Sequence, residues 1–347
     1  MQFDDYTFPL PQELIAHAPL ADRDAARLVV LRRATGVIEH AHMGDLPDLL
    51  GDAGAGERGD RWQVVLNESR VTPSTLELTE EDGRPSRVAF GRDPQTARWQ
   101  PLGDPADVVH PQRTARNGSA AAARLAQTAP ETLEQALAER GAVTLPRYLT
   151  ELASEFRPGA VPAFYDTVYG RVPGSVAPPS GGINLSRSTL AGLQAQGVPV
   201  STLVHHVGAV TFRHPTVPDL ASHRMEGERF AVSPEAAEAI VRRRAEGRKL
   251  LAVGTTSTRA LEHVARTGGL GEPGAAVGRV GVADLFITPA HRFGLVDGLL
   301  TGLHAPRTTL FVLVCSLAGR ELVLEAYAQA RAERYRWYTL GDSMLVL

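Results

Sequence analysis

Two amino acids are nearly absent from this sequence of 347 residues, which has one cysteine and one lysine. A single cysteine, Cys315, excludes an internal disulfide and a cysteine-based metal site, and its apolar surroundings, LFVLVCSLAG, indicate buried packing. Because Lys249 is the only lysine, arginine carries almost all of the positive charge. Arginine suits phosphate recognition, but enrichment in Arg, Ala and Gly also follows from a GC-rich genome, and we favour the second explanation.

The sequence also lacks a long apolar run and an excess of either charge. No stretch reaches the ~18 apolar residues of a membrane span, and the acidic, polar start MQFDDYTFPLPQ does not fit a signal peptide. We therefore expect a cytoplasmic protein with no membrane partner. With 36 basic and 39 acidic residues the net charge is −3, so a polyanionic partner would require a local basic patch.

At 347 residues, 43% of them hydrophobic, the chain can bury a full core, and this length favours two domains. The runs in ARLVVLRRATGVIEHAHM surround a Thr-Gly turn and predict a β-hairpin. GDAGAGERGD, residues 51–60, is typical of a linker. Short alternating runs between Trp62 and Trp99 predict a small antiparallel sheet or barrel, and the Ala- and Pro-rich residues 103–131 predict a long loop or a poorly ordered segment.

The clearest α/β unit is RKLLAVGTTSTRALEHVART, which predicts a strand Lys249–Val253, a turn at Gly254 and a helix capped by Thr255, Thr256 or Ser257. Such a unit belongs to an α/β domain that binds ligands at the carboxyl ends of its strands. Unpaired N–H groups at the start of this helix could bind a carboxylate or phosphate, and simple helix capping explains the hydroxyls equally well.

Other polar residues are open to two interpretations. His206 and His304 could be catalytic, although a single histidine is more often structural. Asp342 could cap a turn or face a pocket. We expect no metal site, because His40 and His42 share a strand face but have no third ligand nearby in the sequence. The segment GLGEPG follows no strand and contains a proline, so we do not interpret it as a dinucleotide site.

Seven ordered motifs carry a resemblance: FDDYTFPLPQELIAHAPLADRDAARLVVL, VVLNESRVTPSTL, YDTVYGRVPGSVAPPSGGINLS, HHVGAVTFRHP, AVGTTSTRALE, LFITPAHRFGLVDGLLTGLHAPRTTL and YRWYTLGDSMLVL. In this order they resemble the S-adenosylmethionine:tRNA ribosyltransferase-isomerase family of queuosine biosynthesis, from Phe3 to Leu347. The resemblance implies a Rossmann-like α/β domain, residues 1–60 and 145–347, with an inserted small antiparallel β-barrel domain, residues 61–144.

The resemblance also implies a reaction. The ribosyl part of S-adenosylmethionine moves to 7-aminomethyl-7-deazaguanine in a tRNA anticodon and is rearranged to an epoxy-cyclopentanediol, while adenine and methionine leave. The sulfonium acidifies the C5′ hydrogens, so a positioned base such as His206 or His304 could form an ylide. The methionine carboxylate needs an anion site, for which the turn at Gly254 and Arg259 are suitable.

The motif positions and the chemistry together give a candidate site without a metal. The catalytic candidates are His304, His206 and Asp342. The binding candidates are Asn184, Gly182, Gly208, Thr211, Gly254, Thr255, Thr256, Ser257, Arg259 and Asp297, with Arg23, Arg27, Asn67 and Arg70 along the cleft between the two domains.

Four positions depart from the family pattern. Asn184 and Glu226 replace histidines, Gly302 replaces an asparagine and Thr75 replaces an arginine. Asparagine can hydrogen-bond a ribose but cannot exchange a proton near pH 7. Three functions therefore stay open: the family reaction on tRNA, use of S-adenosylmethionine on a small-molecule acceptor by a divergent paralogue, and non-catalytic binding of S-adenosylmethionine or a nucleoside.

Overall fold

The computed structural model describes residues 1–51, 61–93, 96, 98–103, 120–127, 130–212 and 214–347. Nearly all of the linker predicted at 51–60 lies outside these ranges, as does the middle of the segment 103–131.

The described chain consists of strands, α-helices and short 3-10 helices. The strands are β1 Arg27–Arg32, β2 Val37–His42, β3 Trp62–Asn67, β4 Ser69–Val71, β5 Thr75–Thr79, β6 Pro85–Arg92, β7 Trp99–Gly103, β8 Val172–Ser175, β9 Val200–His205, β10 Glu228–Val232, β11 Lys249–Val253, β12 Arg279–Ala283, β13 Gly298–Gly302 and β14 Ser343–Val346. The helices are α1 Leu46–Leu50, α2 Ala120–Gln127, α3 Pro130–Arg140, α4 Arg187–Ala195, α5 Pro234–Ala245, α6 Thr255–Arg266, α7 Thr309–Ala318 and α8 Arg320–Ala332.

A nine-stranded mixed sheet is the centre of the fold, with the order β12-β10-β9-β3-β11-β13-β14-β1-β2. Its four middle strands, β9, β3, β11 and β13, are parallel. All six residues of β3 are buried, as expected for a strand covered on both faces. The prediction of an α/β protein is confirmed at this level, as a mixed α/β fold with a large mixed sheet.

Two local predictions are also confirmed. The hairpin forms from β1 and β2, which pair from Arg27 opposite His42 to Arg32 opposite Val37. The strand Lys249–Val253 is β11, which lies between β3 and β13. Both segments carry short patterns that need only their own sequence to be recognised.

A second, three-stranded antiparallel sheet has the order β5-β6-β7 and packs against α2 and α3 through Leu76, Val88, Phe90 and Leu133. The prediction of a long loop over 103–131 was wrong where the chain is described, because its alanines, which favour helices, form α2. The strand Trp62–Asn67, which the domain division placed with the small sheet, pairs instead with β11 and β9 in the large sheet.

The carboxyl ends of the parallel strands lie along one edge of the large sheet, which we call the carboxyl edge. The strands β9, β3, β11 and β13 end there at His205, Asn67, Val253 and Gly302. Strand β14 is antiparallel to β13 and pairs Ser343 with Gly302, so its first residue reaches the same edge.

The loop between β8 and α4 folds over the carboxyl edge. Its Gly-Gly pair forms a short 3-10 turn over Ser180–Gly182. A Cβ atom on Gly181 would lie 2.6 Å from the Cα atom of Gly254, and a Cβ atom on Gly182 would overlap the Tyr169 hydroxyl. Gly181 therefore allows this loop to lie directly on the turn between β11 and α6, and Gly182 leaves the space that the Tyr169 side chain occupies.

Candidate functional site

Three adjoining cavities open at the carboxyl edge. The turn cavity, about 370 Å³, lies against Gly254 and the start of α6. The tyrosine cavity, about 310 Å³, contains Tyr148, Tyr338 and His304. The small-sheet cavity, about 280 Å³, lies between His206 and strands β6 and β7.

The turn cavity and the tyrosine cavity are continuous. They share six lining residues: Pro178, Ser180, Thr211, His214, Thr308 and Leu310. Their volumes are in the range of about 300–1,000 Å³ that is usual for small-molecule sites, and they open where ligands bind to α/β sheets.

The start of α6 forms one wall of the turn cavity. Gly254 has φ +89° and is the N-cap residue, and no side chain caps this helix. The prediction that Thr255, Thr256 or Ser257 caps the helix was therefore wrong. The Ser257 hydroxyl instead donates to the Val253 carbonyl at 2.7 Å. The first-turn N–H groups and the side chains of Thr255 and Thr256 thus border the cavity, in the arrangement that suits an anion.

Arg259 borders the same cavity, but its guanidinium is committed to protein partners. It donates to Glu228 Oε2 at 2.5 Å, to the Leu285 carbonyl at 3.1 Å and to the Ala283 carbonyl at 2.9 Å. His205 Nε2 lies 3.0 Å from the same Glu228 oxygen. Glu228 and Arg259 line the turn cavity, and with His205 they form a buried charged network in its wall.

Glu228 is the centre of this network and was not a candidate in the sequence. Its second oxygen, Oε1, accepts the N–H of Gly208 at 2.6 Å. Burial raises the pKa of this carboxyl, but Arg259 and the hydrogen bonds from His205 and Gly208 outweigh burial and lower the pKa to about 2. Glu228 is therefore ionised and holds Arg259 and the loop at Gly208 in place.

His304 lies in the wall of the tyrosine cavity, and its position follows from the end of β13. Its Nε2 atom is 2.9 Å from the Thr301 hydroxyl, and its backbone N–H donates to the Tyr327 hydroxyl at 3.0 Å. Burial lowers the pKa of His304 to about 4. The ring is therefore neutral at pH 7 and can accept a proton.

His206 borders the small-sheet cavity instead. Its ring packs against Gly174, where a Cβ atom would lie 2.8 Å from the ring atoms Cε1 and Nδ1. Burial, followed by the positive charge of Arg92, lowers the pKa of His206 to about 4. The two histidine candidates are thus both neutral but face different cavities.

Thr211 and His214 lie in the wall shared by the turn and tyrosine cavities. Thr211 was a candidate from the sequence, whereas His214, three residues later, was not. Burial and the nearby Arg307 lower the pKa of His214. Tyr148 and Tyr338, which line the tyrosine cavity, were not candidates either, because nothing in the sequence connects them with each other or with His304.

Several of the residues that were predicted to bind the substrate make hydrogen bonds within the scaffold. The Asn67 side chain clamps the ends of β3 and β9: Nδ2 donates to the His205 carbonyl at 2.8 Å and Oδ1 accepts the His205 N–H at 2.9 Å. Nδ2 also donates to the Thr256 hydroxyl at 3.3 Å. Asn184 donates from Nδ2 to the Gly341 carbonyl at 2.8 Å and to the Ser343 hydroxyl at 3.1 Å.

Similar hydrogen bonds to backbone groups are made by Arg23, Arg27 and Asp342. Arg23 donates to the carbonyls of Ile183, Ala163 and Asp166. Asp342 accepts the backbone N–H groups of Arg27 at 2.9 Å and of Arg336 at 2.7 Å, and its carboxylate also pairs with the Arg27 guanidinium at 3.2 Å. Arg70 is exposed and reaches Asp166 at 3.8 Å.

Asp297 does not belong to this site. It precedes β13, and its Oδ2 atom accepts the Leu250 N–H at 2.8 Å and a hydrogen bond from Arg244 at 2.6 Å. Because Leu250 is near the start of β11, Asp297 lies at the amino ends of the strands, opposite the cavities. Its place in the motif gave no information about which end of the strand it would occupy.

Of the four departures from the family pattern, Asn184 binds the Gly341 carbonyl and the Ser343 hydroxyl, as described above, and the other three lie in different settings. Gly302 lines the tyrosine cavity and Glu226 lines both the turn and small-sheet cavities. Thr75 is buried away from them, and its hydroxyl lies 2.9 Å from that of Thr144.

Within the described ranges no helix has the length and apolar character to cross a bilayer. Among the same residues, no three histidine, cysteine or acidic side chains converge as metal ligands.

Comparison with known proteins gives full-length matches. The family model described as queuosine biosynthesis protein matches residues 3–346. S-adenosylmethionine:tRNA ribosyltransferase-isomerases from Symbiobacterium thermophilum and Desulfitobacterium hafniense are 38% and 35% identical, with all of this chain and all of each relative covered. A crystal structure of S-adenosylmethionine tRNA ribosyltransferase from Thermotoga maritima is 26% identical, covers 99% of this chain and 100% of its own, and has a TM-score of 0.56.

Proposed function

This chain belongs to the queuosine biosynthesis protein family, and on that premise we propose that it is an S-adenosylmethionine:tRNA ribosyltransferase-isomerase. It moves the ribosyl part of S-adenosylmethionine to the aminomethyl group of 7-aminomethyl-7-deazaguanine in a tRNA anticodon. The product is epoxyqueuosine, and adenine and methionine are released. The observation that supports this most directly is the continuous pair of cavities, which joins a helix start suited to a carboxylate with a buried, neutral histidine.

The methionine part of S-adenosylmethionine occupies the turn cavity in this proposal. Its carboxylate accepts hydrogen bonds from the first-turn N–H groups of α6 and from the Thr256 hydroxyl, with the helix dipole favouring the negative charge. Arg259 contributes its positive charge at a distance, because its N–H groups already bind Glu228 and two backbone carbonyls.

His304 is the base that removes a C5′ proton in this proposal. If Nε2–H donates to the Thr301 hydroxyl, the lone pair of Nδ1 is free to accept the proton that the adjacent sulfonium has acidified. The electron pair left on carbon forms the ylide that begins the transfer. His206 is the second candidate, but the small-sheet cavity that it borders is not the one that contains His304.

We also propose that the described part of residues 75–144, with the sheet β5-β6-β7 and the helices α2 and α3, belongs to an inserted barrel-like domain. The Thr75 and Thr144 hydroxyls are 2.9 Å apart, and Thr75 forms a bridge with Ala142, so the two ends of the segment are tied together. Such a unit beside the cavities would suit the docking of a tRNA anticodon. We propose that the protein carries out this reaction in the cytoplasm.

The test is release of adenine and methionine from S-adenosylmethionine by the purified protein, with anticodon RNA carrying 7-aminomethyl-7-deazaguanine and with the same RNA carrying guanine. Release that requires the modified RNA would support the proposal. Release without RNA would contradict it and indicate the small-molecule acceptor, which full-length similarity to tRNA enzymes does not favour. Tight binding without turnover would indicate the non-catalytic binder.

A further inference from the structure

The tyrosine cavity is lined by aromatic and proline side chains, which the presence of His304 in its wall does not explain. The rings of Tyr148 and Tyr338 have centroids 4.9 Å apart with planes at 48°. Pro146 and Pro178 also line this cavity. Flat, rigid apolar faces of this kind favour a planar aromatic ligand, because stacking requires little ordering of the protein.

Both tyrosines are fixed before any ligand arrives. The Tyr148 hydroxyl lies 2.6 Å from the Thr339 hydroxyl. Tyr338 has φ +73°, an uncommon conformation for a residue other than glycine, and its N–H donates to the Leu303 carbonyl at 3.1 Å. Strained residues of this kind concentrate at binding and catalytic sites.

Gly302 leaves the end of β13 open toward this cavity. A Cβ atom added there would meet only the Tyr338 carbonyl oxygen, at 3.9 Å, which is an ordinary contact. The glycine is therefore not required by the packing of β13, and its effect is to leave space beside the two rings.

We propose that the tyrosine cavity is the subsite for the adenine ring of S-adenosylmethionine, stacked against Tyr148 and Tyr338. This assignment rests on the proposed function and specifies which part of the substrate each cavity takes. The ribose then lies at the wall shared with the turn cavity, near His304, and the methionine part extends toward α6.

The polar groups of the cavity distinguish adenine from the other purine-like ring in the reaction. A guanine edge presents two adjacent donors, which a carboxylate matches. The described residues that line the tyrosine cavity include no Asp or Glu, whereas Glu226 and Glu228 line the other two cavities. Adenine presents ring acceptors and one amino donor, which hydroxyls such as Ser180, Thr211 and Thr308 and a neutral histidine match.

Adenosine binding to the intact protein, measured by isothermal titration calorimetry, tests this subsite without requiring turnover. Tyr148→Leu removes the ring and Gly302→Leu fills the space beside it. Each should weaken adenosine binding about 10- to 100-fold, the range expected for loss of stacking on one aromatic side chain. Tyr148→Phe retains the ring and should change binding less than about 3-fold. Thermal unfolding of each variant identifies any that fails to fold.

The proposal is overturned if Tyr148→Leu and Gly302→Leu both fold and bind adenosine as the wild type does. It is also overturned if Tyr148→Phe loses as much affinity as Tyr148→Leu, or if free 7-aminomethyl-7-deazaguanine displaces adenosine more effectively than adenine does. Adenosine binding that depends on the Tyr148 ring, in a protein that releases no adenine with modified RNA, would support the subsite and refute the proposed function.

Discussion

The substitution Glu228→Gln tests whether the buried charged network holds the carboxyl edge together. The Glu228 carboxyl has a pKa of about 2, compared with an ordinary value of 4.5, because Arg259 and two hydrogen bonds stabilise its charge in spite of burial. At ~1.36 kcal/mol for each pKa unit, the ionised carboxylate contributes about 3 kcal/mol to the free energy of unfolding at pH 7. Breaking a buried ion pair costs about 3–5 kcal/mol, which is in agreement. We expect the variant to be less stable by about 3 kcal/mol, since glutamine leaves Arg259 uncompensated.

The pH dependence of this difference gives a second check. Because the folded-state pKa is depressed, the contribution is complete above the unfolded value of 4.5 and is lost as the pH falls through about 2. The difference between wild type and variant should therefore fall to about 1 kcal/mol at pH 3. Urea denaturation at both pH values measures it. Glu321→Gln, in an exposed pair with Arg320, is the control and should change stability much less than Glu228→Gln does, because water screens exposed ion pairs. A difference below about 1 kcal/mol at pH 7, or one that does not decrease at pH 3, would refute the reasoning.

Three further substitutions test individual residues. His304→Gln should lower the rate of adenine release at least ~100-fold if His304 is the base, whereas His42→Gln should not. Because the pKa of His304 is about 4, the kcat/KM of the wild type should persist from pH 7 to pH 5. A fall in kcat/KM on the acid side near pH 6.5 would contradict a base with that pKa. Asn184→Ala should lower the free energy of unfolding by ~1–3 kcal/mol, since two acceptors at the start of β14 lose their donor, and an unchanged midpoint in urea would count against this role. Gly181→Ala should lower the melting temperature more than Gly44→Ala. The added Cβ atom would lie 2.6 Å from a backbone atom at position 181, but 3.5 Å from its nearest neighbour at position 44. Equal shifts in melting temperature would be inconsistent with the close backbone contact.

Features that depend on adjacent residues could be predicted from the sequence. The hairpin β1–β2 and the strand β11 carry their own alternating or apolar patterns and turn residues. Strand β3 could not be placed, because a short apolar run has the same appearance in a small sheet and at the centre of a large one. Its neighbours β9 and β11 lie more than a hundred residues away along the chain, so pairing decided its position.

The candidate site followed the same division. The turn at Gly254 could be located from a strand–turn–helix pattern, and it does border a cavity. Arg259 was expected to bind the substrate carboxylate directly, but Glu228 takes up its charge, and only the folded structure brings these two residues together. Asp297 belongs to one of the motifs, but the motif did not reveal that this residue lies at the amino ends of the strands, away from the cavities.

The pairing of strand β14 has a consequence for how this protein is made. Ser343–Val346 lies between β13 and β1, so the first hairpin of the chain joins the large sheet only through a strand that is translated more than three hundred residues later. Until Val346 has left the ribosome, β1 and β2 have no place in that sheet. A chain that stops before Ser343 would leave the edges of β13 and β1 unpaired, and such exposed edges invite aggregation. Chaperones and proteases would therefore encounter an incomplete product as a misfolded one, before it could compete for substrate.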